Sequence, residues 1–230
     1  MKKNIYYIKA RLLPSIICSI PILSTYFYGF DTSLKNFIYF LQEFKWIGDV
    51  TISVALIFLL VQINRFIAKE LFQRLFFNDE IKMPTTNYLL HSNTSLSTEV
   101  KKNIHDKIDD DFNIKLSSIS FEKANELEAR KIIITAVSQI RNSTRDNALL
   151  LQHNIEYGFM RNLIGGAVLA ILVSFFNIYY FNQIVTNEFA FKLNIVMAIL
   201  FSIPILSSKF VIKRYGHYYA KVLFEQYLKK

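Results

Sequence analysis

Cysteine is nearly absent from this chain. Cys18 stands alone inside an apolar run, so neither an intrachain disulfide nor a cysteine metal cluster can form. The four histidines, His91, His105, His153 and His217, make no H-x-x-x-H pair. No Walker loop, G-x-G-x-x-G, G-x-S-x-G or H-E-x-x-H is present, so every motif-based reason to propose an enzyme or a cofactor falls away. Asp109, Asp110 and Asp111 are contiguous acids, but nothing completes a metal-ligand set around them, and a solvated turn is expected there. Alternating strand patterns are missing too; only 82–91 and 113–119 leave room for one. Residues 130–162 contain no proline and one glycine, so nothing in that stretch forbids a long helix.

Apolar and aromatic residues are abundant instead. The apolar share is 52%, with 21 Phe and 13 Tyr, which points to burial in a membrane. Leu12 to Phe30 carries no charge and as a helix measures about 28 Å, enough to cross a bilayer. Its length and the lack of an A-x-A site favour a retained span over a signal peptide. Further spans are expected at about 47–64, 163–184 and 191–208. The aromatic-rich 31–46 reads as an interfacial segment. The formal charge is +9, yet 65–162 holds 14 Lys and Arg against 13 Asp and Glu. The excess therefore flanks the apolar runs: four cations before the first span, six after the fourth, two and one in the intervening loops. By the positive-inside rule both termini and 65–162 face the cytoplasm.

The expected fold is a mainly α membrane protein with four transmembrane helices in two hairpins flanking a cytoplasmic, mostly helical domain. The divisions are 1–64 for the first hairpin, 65–162 for a sensing domain, 163–208 for the second hairpin and 209–230 for a basic tail. Within 65–162, Met83 to Asn87 reads as a turn. Ser97 is expected to cap a helix burying Val100, Ile104 and Ile108, and Ser120 to cap a long helix burying Leu127, Ile134, Val137 and Ile140. That helix is expected to run unbroken into the third span, with Gly158, Gly165 and Gly166 as its points of flexure.

Three constellations carry candidate chemistry. Arg141, Arg145, His153, Tyr157 and Arg161 at helical spacings form a candidate ligand site, able to hold phosphates and stack a base. The competing reading is a solvated face paired with Asp146 and Glu156, with Arg161 at the lipid headgroups. Asp49, Asn177 and Asn194 are candidate pore-lining groups, because polar residues in spans face a bundle interior or a water path. Gly166, Ala170 and Ser174, at i, i+4 and i+8, form a small-residue face for close helix packing, within one chain or between copies.

The stretch QHNIEYGFMRNLIGG, the upstream SQIRNSTRDN and the layout of spans resemble small bacterial four-span membrane proteins that act as effectors in anti-phage modules, of the Hailong type. The resemblance covers about residues 84–170. It implies an oligomeric membrane protein, partnered with a nucleotidyltransferase, whose cytoplasmic domain binds a nucleotide or short DNA signal and whose opening depolarises the cell. A homo-oligomer, most simply a tetramer, is expected because four short spans make too thin a bundle to enclose a pore alone. The alternative is a membrane-anchored scaffold without a pore that recruits a protein partner.

Overall fold

A computed structural model describes residues 2–30 and 49–230, and the side chains of 4–30 and 54–230. Every regular element among them is helical. They form two compact units, each interleaved in sequence: Met1–Phe72 with Gly158–Ser208, and Gln73–Tyr157 with Lys209–Lys230.

The first unit holds the apolar helices. Its N-terminal rod joins α1 (Lys2–Tyr7), a π-helical turn at Ile8–Leu12 and α2 (Leu13–Cys18). A 41° bend separates it from α3 (Ile20–Ser24) and a second π-helical turn at Thr25–Gly29. The cause is local: Pro21 has no N–H for the ladder, and Ser19 Oγ turns back to the Ile16 carbonyl at 2.7 Å. α4 (Asp49–Ile67) follows, and a further π-helical turn at Ala68–Gln73 carries the chain out of this unit. α10 (Ala148–Gln183) and α11 (Glu188–Leu206) are long and apolar enough to cross a membrane, and the bent N-terminal pair makes a third such element if it is one span. Asn187 caps α11 by accepting from the Ala190 N–H at 2.9 Å.

Small residues draw these helices together. Cys18, Ala167, Ala170 and Phe201 form a buried cluster. Gly166 lies where a Cβ would come within 2.7 Å of Cys18 Sγ and 2.8 Å of Asn64 Nδ2, and Ala170 and Ser174 are fully buried on the same face. The small-residue face therefore packs within the chain. α10 passes through Gly158, Gly165 and Gly166 without interruption; these glycines serve close approach rather than bending. Large apolar side chains point the other way, among them Leu172, Phe176, Ile199 and Ile203, each more than half exposed.

The second unit is built from α5 (Arg74–Phe77), α6 (Pro84–Asn87), α7 (Thr98–Phe112), α8 (Ile119–Ala124), α9 (Glu126–Ser143), the start of α10, and α12 (Ser208–Leu228). Ser97 accepts from the Val100 N–H at 3.3 Å and caps α7, whose Ile104 and Ile108 are buried as their spacing predicts. The turn expected at 83–87 is the single-turn helix α6. Ser118, not Ser120, caps α8. The buried stripe of α9 is Ala129, Ile133, Ala136, Val137 and Ile140, while Leu127 is exposed.

Two expectations change. The long helix is interrupted at Thr144–Asn147, because short polar side chains there bond their own backbone. Thr144 Oγ1 donates to the Ile140 carbonyl at 2.7 Å, and Asn147 Oδ1 accepts from the Leu150 N–H at 3.0 Å, starting α10 afresh. The segment 209–230 is no free tail. It lies in α12, and its Ala220, Leu223, Phe224 and Tyr227 are fully buried in the core of the second unit with Leu89, Ile104, Ile108 and Ile140.

Candidate functional site

The five residues read as one basic face are divided between α9, the turn after it and α10. Arg141 is held by Glu80, at 3.1 Å from Nη1, and by Thr85 Oγ1, at 3.2 Å from Nη2. Arg145 is exposed on the interhelical turn, so it is not a helical neighbour of Arg141. His153 faces Glu156 at 3.7 Å, and Tyr157 is buried in the second unit. Arg161 belongs to the first unit. Arg141 and His153 are thus paired within the chain, and Arg145 is solvated.

Two of the three candidate pore residues find their partners inside the chain. Asn177 and Asn194 are fully buried and bonded to each other, Asn177 Nδ2 donating to Asn194 Oδ1 at 3.0 Å. Asn177 Nδ2 also donates to the Pro21 carbonyl at 2.8 Å, and Thr25 Oγ1 donates to Asn177 Oδ1 at 2.7 Å. Asn194 Nδ2 donates to Ser24 Oγ and to the Ala190 carbonyl, both at 2.8 Å. This network joins α3, α10 and α11 through both amide side chains. The side chain of Asp49 lies outside the described residues. We expect Asn177→Leu to destabilise the first unit by about 1–2 kcal/mol, measured by SDS titration of the folded protein in mixed micelles, because Asn194 and Thr25 then lose their partner.

The second unit instead contains a cationic concavity of about 280 Å³. Lys82, Arg130, Lys213 and His217 line it together with Asn87, Pro84, Phe76 and Phe77, and no carboxylate is among them. Arg130 builds the wall: its Nη1 donates to the Ile81 carbonyl at 2.8 Å and to Asn87 Oδ1 at 2.6 Å, while Glu126 holds Nη2 at 2.7 Å. Pro84 opens α6 at its first turn, which fixes the path of the chain just after Lys82. Gly216 lets α12 lie against this corner, its missing Cβ standing 3.3 Å from Phe77 and from Pro84. Lys82 and Lys213 are both exposed. His217 Nδ1 is 3.2 Å from the Tyr88 hydroxyl. Burial, and then the Lys213 ammonium, push the His217 pKa below its ordinary 6.5. Cations around a cleft with a proline face and two phenyl rings suit a phosphate joined to a flat or apolar group.

Nothing at the sequence level assembled this set. Lys82, Arg130 and Lys213 are far apart in the chain; the only local signal was Lys213 and His217 at i, i+4. Among the described residues no group of three or more His, Cys, Asp or Glu is placed to hold a metal ion. No protein-family model, curated protein or solved structure matches the chain.

Proposed function

We propose that this chain is a signal-gated membrane effector that binds a phosphate-bearing ligand, a nucleotide or short oligonucleotide, in the cleft of Lys82, Arg130, Lys213 and His217. The observation that carries the reading is the convergence of Lys82, Arg130, Lys213 and His217 on one concave site whose lining holds no carboxylate, Glu126 pairing with Arg130 from outside it, in a chain whose 65–162 segment is nearly neutral. The spans are 12–30, 47–64, 163–184 and 191–208, in a bacterial inner membrane with both termini and the second unit cytoplasmic. Two helices long and apolar enough to cross, and the cation asymmetry at the span ends, support that layout. The helix bearing Lys213 and His217 follows the last apolar helix after one residue, Ser207. A ligand held there and bound unequally by two membrane states shifts the balance between them. The effector works as a homo-oligomer, a tetramer by preference, with its pore between copies, because Asn177 and Asn194 are used up inside each chain. Its action is depolarisation in an anti-phage module with a nucleotidyltransferase partner, as the resemblance implies.

The second reading, a membrane-anchored scaffold without a pore, is favoured by that same network, since both amides find their partners inside the chain.

Fluorescence anisotropy of a labelled short oligodeoxynucleotide without terminal phosphate tests the site. Lys82→Ala and Lys213→Ala should each weaken binding about tenfold, most at low salt, whereas Arg145→Ala should change it little. Because bound phosphate favours the imidazolium, affinity should rise as the pH falls toward the lowered pKa of His217, and the rise should vanish in His217→Gln. Equal affinity for wild type and the Lys82/Lys213 double alanine removes this cleft from consideration.

A further inference from the structure

The first unit contains a second cationic cluster, made by three helices at one level. Asn162 Nδ2 donates to the Ala10 carbonyl at 2.6 Å, bringing α10 against the N-terminal rod. Asn64 Nδ2 donates to Ser15 Oγ at 3.0 Å, bringing α4 against the same rod. Gly165 rests on the Asn64 carbonyl and lies 2.7 Å, measured from a built Cβ, from the Ala68 nitrogen, which closes the third side. Beside each contact residue in sequence stands an arginine: Arg11 after Ala10, Arg65 after Asn64, Arg161 before Asn162. Burial and then repulsion from Arg11 and Arg161 act on the Arg65 guanidinium. Arg11 lies over the Tyr6 ring, 5.3 Å from its centroid. The Nε atoms of Arg11 and Arg65 are buried and meet no acceptor among the described residues.

Three guanidiniums gathered in partly buried positions repel one another, and a buried N–H without an acceptor costs free energy. An anion that accepts from two or more of them removes both penalties, and a phosphate matches the fork geometry of arginine. Each of these arginines flanks an apolar helical run, where a phospholipid headgroup would lie. We propose that Arg11, Arg65 and Arg161 form a binding site for one phosphate group, carried by an anionic lipid headgroup or by a soluble phosphate. This site is separate from the cleft of the second unit and does not depend on it.

The test uses the full chain reconstituted in nanodiscs of phosphatidylcholine alone, of phosphatidylcholine with phosphatidylglycerol, or of phosphatidylcholine with added inorganic phosphate. The readout is the thermal-unfolding midpoint. Phosphatidylglycerol should raise the wild-type midpoint by roughly 5 °C or more, if the lipid is the source. A comparable rise with inorganic phosphate alone identifies a soluble source. Arg65→Gln and Arg11→Gln should lose the rise, while Lys69→Gln, which removes an exposed cation nearby on the chain, should keep it. In phosphatidylcholine alone Arg65→Gln should match or exceed the wild-type midpoint, since it relieves repulsion. The proposal is overturned if neither anion raises the wild-type midpoint, if Lys69→Gln loses the rise as fully as Arg65→Gln does, or if Arg65→Gln fails to fold in phosphatidylcholine.

Discussion

Gly165→Ala should lower the thermal-unfolding midpoint of the detergent-solubilised protein by roughly 6–12 °C, corresponding to about 3 kcal/mol. The added methyl would overlap the Asn64 carbonyl oxygen and stand 2.7 Å from both the nitrogen and the Cβ of Ala68. These are mainly backbone atoms of a neighbouring helix and cannot rotate away. The whole of α4 would have to retreat, taking the Asn64–Ser15 hydrogen bond with it. Gly216→Ala is the matched comparison. Its methyl would meet a phenyl edge and a proline ring at 3.3 Å, which can yield by a few tenths of an ångström. Alanine also favours a helix over glycine by up to about 1 kcal/mol. That variant should leave the midpoint within about 2 °C of wild type.

Lys101→Met should open the loop at 88–97, giving about a hundredfold faster amide exchange there by hydrogen–deuterium mass spectrometry. Lys101 is buried, and its ammonium donates to the carbonyls of Leu90, at 2.7 Å, His91, at 3.3 Å, and Asn93, at 2.5 Å. Methionine fills the space but satisfies none of them, and each orphaned acceptor costs about 1–3 kcal/mol. Opposite it, the buried Glu122 carboxylate accepts from the His91 N–H at 2.7 Å and the Ser92 N–H at 2.9 Å. Burial alone would raise the Glu122 pKa, but the hydrogen bonds from Ser92 and His91 prevail and hold it below 4.5. Its contribution to stability is therefore complete above pH 4.5 and lost as the pH falls through the lower folded-state value. Protection of 88–97 should fall in step below pH 4.5 in the wild type, while that of α10 near Ala170 should not.

Periodicity read the helices well and the breaks poorly. Val100, Ile104 and Ile108 with Ser97 before them were legible because cap and stripe are local. The interruption at Thr144–Asn147 needs no proline: it arises in a run of Asn, Ser, Thr and Asp, each able to bond its own backbone. The burial of Lys101 is not legible in the sequence because its partners are loop carbonyls, which no side-chain pattern encodes. Asn177 and Asn194 were rightly marked as inward, but whether an inward amide meets water or another side chain depends on α3, and its Ser24 and Thr25 are distant in sequence. Both arginine and lysine clusters are long-range for the same reason: helices that are separate in the chain bring them together.

We propose that ligand binding in the second unit drives a change of membrane permeability, and a membrane-potential dye tests it in cells expressing the chain with the proposed nucleotidyltransferase partner. The account predicts depolarisation by wild type that appears only when the signal is made and is lost in the Lys82/Lys213 double alanine despite normal membrane insertion. An unchanged potential in cells where the wild-type chain is inserted and demonstrably ligand-bound would contradict it and leave the anchored scaffold as the function.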